Sequence, residues 1–318
     1  MSVNTLIQKP KAIIICGPTG IGKTSTAIAV VKQTGGEIIS ADSMQIYRRM
    51  NIGTAKPTAE EQASVPHHLI DIVDPDQSFD AARFTRLALS KIRQLTRLKV
   101  LPFVVGGTGF YIKALVHGLF DALPASPEIR ERLRKEADEH ESGYLHQRLT
   151  DCDPQSATRI HPHDTFRIIR ALEVIELMGK PMHECHQGHR FADQPLDALK
   201  IGLFMNRESL YERIDRRVDV MIREGLCEEV EELLSMGFSP SLKSMQSIGY
   251  RHMVDFLHNR VPWEETVRLL KRDTRRFAKR QMTWFRADPQ IRWIEPTDWE
   301  TLLDTVKGFI DRPLASNQ

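Results

Sequence analysis

The apolar positions of this chain fall into two regimes. In the first, short continuous apolar runs alternate with longer stretches of helical period. Ala12–Cys16 is a strand-like run closed by Gly17, and Thr24–Lys32 follows as a predicted helix. Glu37–Ser40 predicts a second strand, ending at Ala41-Asp42-Ser43. Phe84–Leu98 repeats at helical spacing, and Val100–Val105 is a third β-rich run stopped by Gly106-Gly107. Strand, helix, strand and helix in succession predict a parallel sheet with helices on its faces. Ligand sites in such sheets lie beyond the carboxyl ends of the strands. Gly17, Asp42 and Gly106 all fall at such ends, so three candidate motifs converge on one edge.

The second regime begins near Asp121 and lasts to about Leu199. Ser126-Pro127-Glu128 has the form of an N-cap, a first-turn proline and a charge that suits the helix dipole. Glu128–Glu139, Tyr144–Leu149 and Asp164–Met178 then read as helices, the last stopped by Gly179-Lys180-Pro181. This is a helical insertion, and the apolar Ile201–Phe204 marks the return to the sheet. Beyond it the pattern is mostly helical, with a short strand at Ile291–Ile294 and Thr297 and Glu300 spaced as a capping box for a final helix.

Composition narrows the class. The 318 residues, 41% hydrophobic and 27% charged, are ordinary for a soluble globular protein, and the net charge is only +2. No run of 18 apolar residues predicts a membrane span. Met1 to Lys11 lacks the apolar stretch of a secretory signal, so a cytoplasmic location is expected. Four scattered cysteines (Cys16, Cys152, Cys185, Cys227) suit free thiols in a reducing compartment, not a disulfide framework.

Gly17-Pro18-Thr19-Gly20-Ile21-Gly22-Lys23-Thr24 fits the phosphate-loop pattern G-x-x-x-x-G-K-[ST]. Its glycines let backbone N–H groups turn toward phosphate oxygens, and the following helix points its positive end at them. Lys23 adds a point charge, and the Thr24 hydroxyl can ligate Mg²⁺. The loop signals phosphate binding without saying whether the ligand is ATP. Asp42-Ser43-Met44-Gln45-Ile46-Tyr47 follows the second strand. From spacing alone, Asp42 and Ser43 read equally as local caps of a helix.

Together these segments carry a resemblance. Gly17–Thr24, Asp42–Tyr47, His67-His68-Leu69-Ile70-Asp71 and Gly106-Gly107-Thr108-Gly109 match the tRNA dimethylallyltransferase family in its order. So do Arg167 with Arg170-Ala171-Leu172-Glu173-Val174, then Gly249-Tyr250-Arg251, and Ala278-Lys279-Arg280-Gln281 with Thr283-Trp284. The resemblance spans residues 12 to 286. It implies an α/β fold, a P-loop NTPase-like parallel sheet flanked by helices, with an all-helical insertion domain at 121–198. Residues 1–120 and 199–318 then form the catalytic core and a C-terminal helical tRNA-binding part.

The resemblance also implies a reaction, transfer of a dimethylallyl group from dimethylallyl diphosphate to N6 of the adenine 3′ of the anticodon. An allylic diphosphate departs once its growing charge is stabilised, the task of the loop amides, Lys23, Mg²⁺ and an arginine. Arg217 matches the family's diphosphate arginine; its bland reading is a surface arginine on a charged helix. The adenine amine is a poor nucleophile whose proton becomes acidic as the C–N bond forms, so a carboxylate beside it helps as general base. The match makes that carboxylate Asp42. It places Ser43, Met44, Gln45 and Thr108 around the base, which must leave its stack to reach them.

Further RNA contacts are implied at Arg130, at Phe166, Arg167, Ile168, Ile169 and Arg170, and at Gln246, Ser247, Ile248, Gly249, Tyr250 and Arg251. The last group is Thr274, Arg275, Arg276, Phe277, Ala278, Lys279, Arg280 and Gln281. From Arg268 to Arg286 the chain holds eight basic residues against one acid, Asp273. Most of them fall on one broad helical arc, with Val267, Leu270, Thr274, Phe277 and Trp284 opposite. A helix buried on one side and basic on the other suits an RNA backbone; the plainer reading is a solvated face balanced by acidic neighbours.

Some positions depart from the family pattern. Phe166 stands where glutamine is common and His163 where asparagine is common, while Gly20 and Ile21 replace the usual alanine and serine. His183, Cys185, His186 and His189 crowd together like metal ligands but follow a Gly-Pro break and read as a polar linker. His67 and His68 read as fixing a loop. Two rival classes share the loop. A small-molecule kinase leaves the basic helix without a role, and a nucleotide-gated RNA-binding protein leaves Asp42 unexplained. A monomer is expected, since one tRNA and one donor need only one tunnel.

Overall fold

The computed structural model describes residues 9–118, 126–181, 184 and 194–312. The chain divides into two compact units, residues 1–116 with 195–318, and residues 117–194. The His183–His189 cluster lies outside the described residues apart from Glu184.

The first unit is built on a six-stranded, wholly parallel sheet: β1 (Lys11–Cys16), β2 (Glu37–Ser40), β3 (His67–His68), β4 (Pro102–Gly106), β5 (Asp197–Leu203) and β6 (Arg292–Ile294). Their spatial order is β3-β2-β4-β1-β5-β6. The central strands are buried on both faces, which is why they read as continuous apolar runs. The chain works outward from β1 on one side, returns at β4, and crosses to β5 on the other side. The strand order thus reverses around β1, where open parallel sheets place their ligand crevice. Cys16 lies level with Gly106 and Gly202, and Ser40 with Val105, so β1, β2 and β4 end together.

Helices of this unit are α1 (Lys23–Thr34), α2 (Ala59–Ser64), α3 (Ala81–Arg97) and α4 (Gly109–His117). A second set follows the insertion: α9 (Arg207–Arg223), α10 (Leu226–Ser235), α11 (Tyr250–Leu257), α12 (Trp263–Arg286) and α13 (Trp299–Asp311). One core cluster joins Ile13, Ile15 and Ile201 of the strands to Ala27 and Val30 of α1, Ile214 of α9 and Ala278 of α12. The second unit packs α5 (Pro127–Glu139), α6 (Tyr144–Cys152), α7 (Pro154–Ala157) and α8 (Thr165–Met178) around Leu133, Leu149, Ile168 and Leu172.

Three details differ from the pattern read along the chain. β5 begins at Asp197, ahead of Ile201, because Asp197 to Lys200 already pair with β1. The final helix is capped by Asp298, which accepts the Thr301 N–H at 3.2 Å, and not by a Thr297–Glu300 box. A capping box does form where none was read, between Thr58 and Glu61 at the start of α2. His67 and His68 sit on β3. The Nδ1 of His67 meets the Val65 carbonyl at 2.7 Å and the Nε2 of His68 meets Glu37 at 2.6 Å, so both fasten the sheet edge. Cys16, Cys152 and Cys227 are free thiols. Among the described residues, no helix is long and apolar enough to cross a membrane.

Candidate functional site

The loop Gly17–Thr24 leaves β1 and enters α1. Gly20 and Gly22 have φ of 81° and 98°, a left-handed backbone that side chains resist. A Cβ on Gly20 would also lie 2.8 Å from the Ile214 side chain. Gly22 stands at the N-cap of α1 with no side chain to cap it, and the first turn holds no acid. The leading N–H groups and the positive end of the helix are therefore left for an anion. The Lys23 ammonium donates to the Pro18 carbonyl at 2.9 Å. Burial pushes it down to about 8, the nearby Asp42 opposing the shift and Arg217 adding to it. Burial likewise holds the Arg217 guanidinium below its ordinary value, with Asp42 opposing. One carboxylate and two cations thus share a poorly hydrated corner.

Asp42 follows β2 into a turn, not a helix. Its Oδ1 accepts the N–H groups of Met44 at 2.8 Å and Gln45 at 3.4 Å. These hydrogen bonds fix the carboxylate's orientation through one oxygen. The Thr108 hydroxyl accepts the Ser43 N–H at 2.9 Å, tying the loop after β4 to the same turn. Gln45 lines the cavity and is anchored at both ends of its amide. Its amide nitrogen donates to Thr54 and Ala55 carbonyls at 3.4 and 3.2 Å, and its oxygen accepts from Ser40 at 3.0 Å. These bonds fix the orientation of the amide, whose oxygen keeps a second lone pair.

A cavity of about 780 Å³ opens beside the loop. Thr19, Lys23, Thr24 and Arg217 line it with polar and cationic groups, Ile52, Ala55, Pro57, Val220 and Met221 add apolar surface, and the charged Lys56, Glu61, Asp71 and Glu224 complete the wall. Such a size and mixed lining suit a small amphipathic ligand. The segment that carries Ile52 and Ala55 is held by residues that sequence reading missed. The Glu229 carboxylate accepts the N–H groups of Asn51, Ile52 and Gly53 at 2.8, 2.8 and 3.1 Å and the Tyr250 hydroxyl at 2.6 Å. The Lys56 ammonium binds Asp71 at 2.5 Å, Asn51 at 2.8 Å and the Tyr47 carbonyl at 2.9 Å. Glu229 sits in the run Glu228-Glu229-Val230-Glu231-Glu232, and nothing in that run distinguishes the carboxylate that turns inward.

The comparisons with known proteins fall on this architecture. The family model described as IPP transferase matches residues 45–288. The chain is 54% identical to a tRNA dimethylallyltransferase of Desulfosudis oleivorans, over 95% of this chain and 96% of the relative. The chain belongs to the tRNA dimethylallyltransferase family. Among solved structures, the full-length tRNA isopentenylpyrophosphate transferase of Bacillus halodurans is 42% identical with a TM-score of 0.70, covering 95% of this chain and 96% of that one. A eukaryotic dimethylallyltransferase, captured acting on tRNA, has a TM-score of 0.82 at 28% identity, covering 97% of this chain and 81% of that one. The sheet order and loop geometry above are thus those of a P-loop NTPase-like fold within this family.

The RNA contacts that family resemblance implies divide into exposed and buried positions. Tyr250 is completely buried, its hydroxyl given to Glu229, and Ala278 is buried in the core beneath the sheet. Gln281, 7% exposed, is a strut: its oxygen accepts the Thr19 N–H at 2.8 Å and its nitrogen donates to the Gly107 carbonyl at 2.9 Å. In the second unit Ile168 and Ile169 belong to the helical core. These five side chains are corrections to the RNA reading, because packing consumes them. Arg130 and Arg170 both bind the buried Glu173, at 2.9 and 2.5 Å. Burial works against that carboxylate, but the two arginines overcome it and hold its pKa below the ordinary range. Phe166, Arg167 and Gln246 remain exposed, while Ser247, Ile248 and Thr274 are half-buried and Gly249 is buried.

The basic helix α12 is less positive than its sequence. Arg268 pairs with Glu265, Lys271 with Asp219 and Arg275 with Asp215, each at 2.6 Å. Arg272, Arg276 and Arg251 all meet Asp273, at 2.8, 3.9 and 2.7 Å. Partial burial disfavours that carboxylate, yet hydrogen bonds from Arg272 and Arg251 pull its pKa down to about 2. Among the described residues, Lys279, Arg280 and Arg286 have no acidic partner. The free charge of α12 therefore gathers at its C-terminal end.

Proposed function

We propose that this chain transfers a dimethylallyl group from dimethylallyl diphosphate to N6 of the adenine 3′-adjacent to the anticodon in tRNA, giving N6-isopentenyladenosine and diphosphate. The observation that carries the reading is one cavity lined both by the cations Lys23 and Arg217 and by apolar side chains, with the oriented Asp42 carboxylate near Lys23 and Arg217. The diphosphate takes the α1 N-terminus, Lys23 and Arg217, and the five-carbon chain takes the Ile52–Val220–Met221 side. As the C–O bond of the donor breaks, its electron pair leaves on the diphosphate, where fixed N–H groups and cations stabilise it. The adenine N6 forms the new bond to that carbon and gives its proton to Asp42.

Mg²⁺ fits this arrangement. Thr24, the first residue after Lys23 in α1, lines the cavity. A hard cation would be held by the Thr24 hydroxyl and the donor's phosphate oxygens, the manner usual for Mg²⁺. When bound it neutralises part of the leaving group's charge. One tRNA and one donor occupy one cavity, so the reading requires only a monomer.

The test incubates the protein and Mg²⁺ with labelled dimethylallyl diphosphate and an unmodified anticodon stem-loop, with γ-labelled ATP in a parallel reaction. Prenyl label in one RNA adenosine, read by nucleoside mass spectrometry, is the expected result. Phosphate transfer to a small molecule, or no transfer at all, overturns it.

A further inference from the structure

Helical spacing groups Phe277 and Trp284 with the apolar residues of α12, yet both rings open to solvent, at 38% and 44% exposure. They lie on one side of the helix about two turns, or ~10 Å, apart. Between them Gln281 binds the Gly107 carbonyl, so this side of α12 runs along the loop that follows β4. Trp284 is seated there. A Cβ on Gly109 would fall 2.1 Å from its Cδ1 and 2.3 Å from its Nε1, so the indole edge rests directly on glycine backbone that no other residue could supply. The neighbouring Phe110 is 47% exposed. Among the described residues neither Trp284 nor Phe110 is stacked on another ring.

The place matters as much as the exposure. Thr108, beside Gly109, accepts the Ser43 N–H next to Asp42. A fixed and half-open indole thus stands at the rim of the turn that carries the carboxylate. Arg280, one turn before Trp284 on the same side, has no carboxylate partner among the described residues, and its guanidinium lies 5.8 Å from the Phe277 ring centre. An exposed ring with an unpaired arginine beside it is how proteins hold unpaired nucleotides, the base on the ring and the phosphate on the cation.

We infer that Trp284 is a stacking platform for an unpaired loop base of the RNA acceptor, next to the base that reacts, with Arg280 taking an adjoining phosphate. This rests on the reading of tRNA as acceptor. It adds a contact outside the RNA segments that the family match implies, which end at Gln281. A protein partner would cover the same ring without sensing a missing base.

The test measures binding of the full-length protein to an anticodon stem-loop and to versions carrying one abasic nucleotide at each unpaired position. Trp284→Ala is expected to raise Kd roughly five- to 150-fold, the size of one base stack. Trp284→Phe, which keeps an aromatic face, should stay within about fivefold. The donor KM should not move in either variant. One abasic position should weaken binding to the wild type but not to Trp284→Ala. Equal abasic penalties in both proteins, a Trp284→Ala Kd within about twofold of wild type, or a wild type that ignores the stem-loop, overturns the inference. Binding is read without turnover. A wild type that binds but transfers no prenyl group therefore sinks the proposed reaction alone, and one that prenylates while Trp284→Ala binds normally sinks only this site.

Discussion

The phosphate loop and helix α12 are the two most conspicuous segments of the sequence, and they behave differently once folded. In the loop, the groups that matter are contiguous: Gly20, Gly22, Lys23 and Thr24 follow one another, and the backbone between them makes the anion cradle. Its chemistry is local, so its spelling predicts its shape. In α12 the chemistry depends on partners from elsewhere. Asp215 and Asp219 of α9 cancel Arg275 and Lys271, while Asp273 draws in Arg251 from α11. The first half of the helix is a neutralised packing face, and only the second half presents free charge. A motif is trustworthy when its ligand groups are its own backbone; a charge pattern is trustworthy only after its neighbours are counted.

The largest effect expected on this comparison is at the turn. Asp42→Asn keeps the oxygen that caps Met44 and removes the base, so single-turnover prenyl transfer should fall roughly 10²–10⁴-fold with both substrates still bound. A near-normal rate in rapid-quench measurements would remove Asp42 from the chemistry. Next, Lys23→Met should cut kcat/KM for the donor by about 10²–10³. The wild-type value should also fall about tenfold per pH unit above a pKa of about 8, because only protonated Lys23 attracts the diphosphate. That limb should vanish in the variant, and a limb that persists assigns the titration elsewhere.

The two halves of α12 are separated by salt. Replacing Lys279 and Arg280 by alanine should flatten the slope of log K against log salt for RNA by about 1.4, two phosphates' worth on a single strand. The same change at Lys271 and Arg275 should leave the slope unaltered, and equal slopes in the two pairs would break the contrast. The smallest expected effect is on stability. The Asp273 carboxyl titrates near 2 in the fold against 3.8 ordinarily, so its contribution is present above about pH 4 and lost as pH falls toward 2. Asp273→Asn should therefore lower unfolding stability at pH 7 by roughly 1–2 kcal/mol, with the difference from wild type shrinking in acid denaturation curves.

Much of the fold was legible because its signals are short-range. Continuous apolar runs marked β1, β2 and β4, and Ser126-Pro127 marked the start of α5. What escaped were contacts between distant segments. Gln281 reads as one more polar residue on a basic helix, but it pins Thr19 to Gly107 from 262 positions away. Tyr250 reads as an RNA contact and is fully buried, its hydroxyl given to Glu229. Trp284 reads as core and faces solvent.

By itself the sequence determined a parallel α/β sheet, the anion loop after its first strand, the helical insertion and the family. Each rests on local backbone preference or on residues adjacent along the chain. The tertiary structure alone decided which polar side chains face the cavity, which arginines keep their charge and which aromatic rings stay open. Those properties depend on what each side chain meets across the fold, and burial and ion pairing have no period along a chain.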